Sequence, residues 1–327
     1  MHIKTENDIN YSNQRIYYFD NLKAFLIFLV VIGHFLSYTP NPNSISTGVI
    51  VFIQSFYMQF FLLVNGYFYS KNNIRFKVLS FTLIGIILKV VLALISKKIT
   101  FNLFVTQNIP WYLFALSIFY IVAHFMNNVN LIKVILVNVL LFNLVIFDKN
   151  VNHTFCLVRI IAFFPYFLIG IIIKKYSDEI LLIYNEYKHI LKIASICILV
   201  IWGDICFFHI DLIKVLRKFI PAHANYTGFE QYFYLKTVAF LICIILMIAI
   251  AVLIPKKKIP LISSIGTKTL QIYFWHTIFR NLLLRFNINK VVNNEVWLFF
   301  SLVTFLVCTI DVFKYPTEWF LPKNIVD

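Results

Sequence analysis

Ten stretches of the chain are apolar and long enough to cross a bilayer as helices, at about 19–38, 46–69, 78–96, 110–126, 131–147, 157–175, 190–208, 232–254, 266–287 and 295–313. Inside lipid there is no water to satisfy exposed amide groups, so only helices or a closed barrel can span. Barrel strands give short alternating segments, and these runs are long and evenly apolar. The expected fold is all-α, a polytopic membrane protein with about ten transmembrane helices. With 61% of 327 residues hydrophobic and 13% charged, the whole of 1–327 reads as one integral-membrane domain. Any chemistry then falls to the helices and their loops.

An even number of spans puts both termini on one side. Lys71, Arg75 and Lys77, then Lys174 and Lys175, then Lys256, Lys257 and Lys258 fall in loops sharing the side of Arg15, which predicts cytoplasmic termini. Lys97, Lys98, Lys214, Arg217 and Lys218 on the opposite side weaken this bias without reversing it. Residues 1–18 form a polar cytoplasmic N-terminal segment, followed by a full-length apolar run with no cleavage site, so the first span is retained. The longest polar interruption runs from about His209 to Gln231. The net charge of +15 is spread over loop ends, where positive-inside bias and anionic headgroups account for it. Membrane lipids are therefore expected partners and nucleic acid is not.

Five cysteines, odd in number and without CxxC spacing, read as small buried residues. His124, His153, His189, His209 and His223 lack metal-ligand spacing, so no metal is assigned.

Ionisable side chains within spans are costly in lipid and usually face the bundle interior. The stretch FDNLKAFLIFLVVIGHF carries three of them, Asp20, Lys23 and His34. Eleven residues of helix separate Lys23 from His34, about 16 Å of rise and close to three full turns, so the two share a face, and Asp20 joins it. A cationic end could hold an anionic donor while the imidazole, which exchanges protons near neutral pH, works on a reactive group deeper in. The competing reading is a core histidine bonded to a neighbouring helix, with Lys23 snorkelling to the headgroups.

The second span ends in Asn65–Gly66, where a backbone or a ligand can approach closely, and the basic loop of Lys71, Arg75 and Lys77 follows. With Lys23 this loop could form a phosphate site; topology alone also explains it. His276 and Arg280 lie one turn apart in QIYFWHTIFR, with His276 about 16 Å deep against about 21 Å for His34. The two imidazoles line one cavity, or His276 merely bridges helices. Trp111 and Tyr112 suit an interfacial aromatic belt. Arg159 either binds a polar acceptor or pairs with Asp204.

The ordered set YYFDNLKAFLIFLVVIGHF, FFLLVNGYF with its basic loop, WYLFAL, RIIAFFPYFLIGIIIKK and IGTKTLQIYFWH resembles the acyltransferase 3 family along essentially the whole chain, especially its branch similar to fucose 4-O-acetylases. That resemblance implies a ten-helix enzyme of the plasma membrane that moves acetyl from cytoplasmic acetyl-CoA to a sugar hydroxyl of a surface polysaccharide or its lipid-linked precursor. Lys23 and His34 stand where the family has an arginine, ten intervening residues and an essential histidine. Lysine keeps the charge and loses the bidentate fork. The roles implied are His34 as general base or transient acyl carrier with Lys23 and Asp20 beside it. Lys71, Arg75, Lys77, Asn65 and Gly66 would hold the donor, and Arg159, His276, Trp111 and Tyr112 the acceptor. The alternatives are an export protein for polysaccharide or lipid intermediates, or a scaffold in a glycan-assembly complex.

Overall fold

A computed structural model describes residues 17–96, 110–126, 129–145, 157–209 and 229–320. Most of 1–18, with Arg15, lies outside these residues, as do Lys97, Lys98, His153, Cys156, Lys214, Arg217, Lys218, His223 and most of the interruption from His209 to Gln231. Among the described residues every regular element is helical. In chain order they are α1 (Tyr17–Leu36), α2 (Ser44–Gln54), α3 (Tyr57–Tyr67), α4 (Ile74–Ser96), α5 (Trp111–Phe125), α6 (Leu131–Val145) and α7 (Leu157–Lys175). The second half adds α8 (Ser177–Phe208), α9 (Phe229–Leu253), α10 (Pro260–Gly266), α11 (Thr269–Arg285), α12 (Ile288–Val291), α13 (Asn294–Cys308) and α14 (Thr317–Phe320), with a 3-10 turn at Asp311–Lys314.

Each predicted apolar stretch falls largely on helix; 266–287 begins at the end of α10 and the turn before α11, 295–313 leaves α13 at Cys308, and two further stretches differ in form. The stretch 46–69 is not one helix. A capping box between Asn43 and Ser46 starts α2, and Phe56 leaves the helical region at φ −147° before α3 begins. The Ser55 hydroxyl donates to the carbonyl of Val51 at 2.6 Å, the kind of back-bond that bends helices. The stretch 190–208 is the second part of α8, which starts at Ser177, runs about 48 Å and bends at Tyr187. Among the described residues four segments are long and apolar enough to cross a membrane: α1, α4, α8, and α2 with α3 taken together.

The distribution of side chains is that of a protein in lipid. Leu94, Ile132, Leu182, Ile190, Val200 and Leu306 are each more than 60% exposed, whereas Asn21, Gln59, Gln271, His276, Thr277 and Arg280 are at most 5% exposed. Apolar groups face out and polar groups are enclosed, the order that the cost of polar groups in lipid imposes.

Helix α1 is the centre. Its Leu22, Leu26, Ile27, Val30, Val31 and Phe35 are at most 1% exposed, because α2, α3, α10, α11 and α13 all pack on it. One end is clamped by Asn21, whose amide donates to the carbonyls of Pro255 and Lys257, each at 2.9 Å, while its oxygen accepts from Ser263 at 2.8 Å. At the other end the buried Trp297 donates its indole N–H to the Phe35 carbonyl at 2.8 Å.

Helices α3 and α7 touch backbone to backbone. A methyl group placed on Gly66 would sit 1.9 Å from the Phe167 carbonyl oxygen, and one on Gly170 2.0 Å from that of Leu63. Only glycine permits this approach. Gly66→Ala is therefore expected to force the two helices apart and lower the unfolding temperature in detergent sharply, at a cost of about 3 kcal/mol or more. Gly203→Ala in α8, where nothing lies within 4 Å, should leave it unchanged or raise it.

Candidate functional site

Charged residues gather at the Tyr17 end of α1. Lys23 and Asp20 form an ion pair at 3.1 Å, with the lysine side chain 27% and the carboxylate 6% exposed. The Lys23 ammonium also lies 5.9 Å from the centre of the Phe68 ring. Gly266 of α10 abuts the carbonyl of Asp20 so closely that a methyl group would overlap it, and this fixes the start of α1. In the neighbouring loop Lys71 and Arg75 are exposed and Lys77 is partly buried. Asn73 turns the chain into α4 with a left-handed φ of 55°.

His34 points into the bundle near the other end of α1. Its Nδ1 is 3.2 Å from a terminal nitrogen of Arg280 on α11. Guanidinium nitrogens only donate, so Nδ1 accepts, and a neutral His34 carries its proton on Nε2. The ring of His276 stands edge-on to that of His34 with centroids 5.3 Å apart. Here the tautomer is opposite, since Nδ1 lies 2.7 Å from the Ile272 carbonyl, which can only accept. His276 thus keeps its lone pair on Nε2, 3.3 Å from the hydroxyl of Thr277. Its hydrogen bonds stay within α11, so the helix-bridging role allowed by the sequence is performed by Arg280 instead.

The remaining predicted residues fall into two groups. Tyr112 connects to the histidine pair through Tyr273, with Trp111 and Arg159 beside it. Tyr112 stacks obliquely on Tyr273 at 5.5 Å, and Tyr273 is 6.0 Å from His276. The Arg159 guanidinium lies 5.2 Å from the Trp111 ring centre, and its charge acts on both His34 and Tyr57. The packing of α5 on α4 places Tyr112 inside the bundle. Leu113 lies beside Gly85, about 16 Å of helix short of Ser96, so α5 opens deep in the bundle, and Tyr112 is 8% exposed. The Arg159–Asp204 pairing is corrected: Asp204 lies 3.5 Å from His209 at an exposed position.

Asn65 and Gly66 are taken up by packing. The amide of Asn65 donates to the Tyr112 hydroxyl and the Phe61 carbonyl, each at 2.8 Å, and Gly66 meets the backbone of α7. The close approach expected at Gly66 is made by protein, and its Cα is closed to a ligand.

The site also contains residues to which no role followed from sequence. Arg280 is 4% exposed, and its guanidinium carbon lies 4.8 Å from the Tyr38 ring centre as well as reaching His34. Its position four residues after His276 was the available signal. Tyr38, Tyr57 and Tyr273 carried none, being three of eighteen tyrosines in an aromatic-rich chain.

Between Lys23 and His34 the shared face of α1 is filled by Ile27 and Val30, each 1% exposed. The expected continuous route along α1 is closed in this conformation.

The family model described as an acyltransferase domain matches residues 16–312, and the chain belongs to that family. No curated protein and no solved structure matches it significantly.

Tyr112→Phe removes the acceptor for one Asn65 N–H inside the bundle. It is expected to cost about 1–2 kcal/mol, read as a lower unfolding temperature in detergent, with no change in the oligomeric state on a sizing column.

Proposed function

We propose that this member of the acyltransferase family is a ten-span enzyme of the plasma membrane, one integral-membrane unit with both termini in the cytoplasm. It moves an acetyl group from cytoplasmic acetyl-CoA to a hydroxyl of a surface polysaccharide or its lipid-linked precursor. The observation that carries this reading is the placement of His34: an imidazole held inside the bundle by Arg280 and His276, on the same face of α1 as the Lys23–Asp20 pair. Membership of the family supports acyl transfer.

In this reading the phosphates of the donor meet Lys23, Lys71, Arg75 and Lys77 at the cytoplasmic rim. The thioester extends along α1 toward His34, about 16 Å away, which requires Ile27 and Val30 to yield as it enters. Asp20 steers Lys23 through their ion pair. The acceptor hydroxyl gives its proton to a ring nitrogen of His34 as its oxygen attacks the thioester carbonyl. The carbon–sulfur bond then breaks, and the departing thiolate takes the proton from the imidazolium, leaving an O-acetyl sugar and free CoA. If His34 instead carries the acetyl group, the same bonds are exchanged in two steps through an acetyl-imidazole. Trp111, Tyr112, Arg159 and His276 border the acceptor.

The test is transfer of labelled acetyl from acetyl-CoA to glycan in membrane vesicles, with NMR of surface glycans from cells with and without the gene. His34→Ala should lower transfer by roughly 100- to 10,000-fold. Lys23→Ala should raise the KM for acetyl-CoA more than it lowers kcat, and Lys23→Arg should restore it. Surface glycan that bears no O-acetyl signal in either strain, and that is lost from the surface of the strain without the gene, would replace this reading with export.

A further inference from the structure

A guanidinium buried in a membrane bundle normally faces a carboxylate, because an unpaired charge there is strongly destabilising. Among the described residues Arg280 has no such partner. It is 4% exposed, its neighbours are the Nδ1 atom of His34 and the Tyr38 ring, and its Nε is buried without a hydrogen-bond partner. The ion pairs formed by acids among the described residues lie elsewhere, at Asp20, Asp204, Asp311 and Glu318. Arg159 contributes a second positive charge close by. The Nε edge of the Arg280 fork is buried with its N–H unpaired. Two parallel N–H groups at such an edge match the oxygens of a carboxylate or phosphate.

The bond to His34 is equally unusual. It places a permanent cation on the single lone pair of the neutral imidazole, the lone pair a general base must use. Something has to draw Arg280 aside before His34 can accept a proton from a hydroxyl.

We propose that Arg280 is the anion-binding residue of the acceptor site: it grips a phosphate or carboxylate carried by the acceptor and, in turning to it, uncovers Nδ1 of His34. The inference rests on the acyl-transfer reading for its purpose and names the class of acceptor, a sugar bearing an anionic oxygen group. The donor's phosphates are not the ligand, since Lys23 and the basic loop lie at the opposite end of α1 beyond Ile27 and Val30. Covering the base until the acceptor arrives also withholds it from water, which would otherwise hydrolyse the thioester.

The experiment uses the full chain in nanodiscs and measures binding of three probes. These are a short polyprenyl diphosphate, an oligosaccharide containing glucuronate, and neutral maltotriose. One of the two anions should bind, and which one does tells a lipid-linked acceptor from an acidic polysaccharide. Arg280→Met should weaken that binding roughly 10- to 100-fold, and Arg280→Lys, which keeps the charge should the methionine variant fold poorly, should weaken it less. With nitrogen-15 histidine, the anion should shift the Nδ1 resonance of His34 in the wild-type protein. The proposal is overturned if neither anion binds, if maltotriose binds as well as they do, if binding is indifferent to Arg280, or if the Nδ1 resonance does not move. Binding is measured without acetyl-CoA. Loss of acetyl transfer with anion binding intact would therefore count against the enzymatic reading alone, and transfer to neutral sugars without anion binding would count against Arg280 alone.

Discussion

The structure depends on one helix being held by five others along its buried face. A helix at the edge of a membrane bundle can rotate and tilt with its lipid, but α1 is packed against five neighbours and fastened at both ends. Asn21 ties its start to the loop at Pro255 and Lys257, and Trp297 ties its end to α13. Lys23 and His34 lie between these fastenings, so their spacing and facing are set by the bundle. Positional precision of this kind is what a proton-transfer group requires, since a small displacement of a base from its hydroxyl costs much of its rate.

Around that helix the polar groups satisfy one another across long sequence distances. Arg280 reaches His34, Ser263 reaches Asn21, Asn65 reaches Tyr112 and Gln271 reaches the carbonyls of Cys308 and Ile310. Each bond joins two different elements in a setting where neither lipid nor tail groups can substitute for a lost partner. Inside a membrane the hydrophobic effect does little to choose one helix arrangement over another, so polar pairs and close backbone contacts such as that of Gly66 with α7 carry much of the specificity.

The helices were legible in the sequence because spanning lipid demands long apolar runs, and nothing else in a chain imitates them. Local departures were not. The break at Phe56 has no glycine or proline beside it, only Gln54, Ser55 and Gln59, and the place of Trp111 is set by how far α5 slides along α4, which no local pattern encodes. Within the site, the facing of Lys23 and His34 followed from helical periodicity on one element. The meeting of His34 with Arg280 joins residues 246 apart in sequence and depends on how α1 and α11 pack. Asn65 and Gly66 show the opposite limit: their motif was visible, and its purpose, holding α3 against α5 and α7, became plain only once the partners were known.

The closed stretch at Ile27 and Val30 has a meaning for the cell as a whole. In the acyl-transfer reading proposed above the two substrates come from opposite faces of an energised membrane, and a water-filled groove leading to an imidazole would conduct protons down their gradient. Two tightly packed aliphatic side chains are an effective insulator. A thioester arm that parts them as it slides in would fill the gap with its own bulk, so the membrane would stay electrically sealed throughout each turnover.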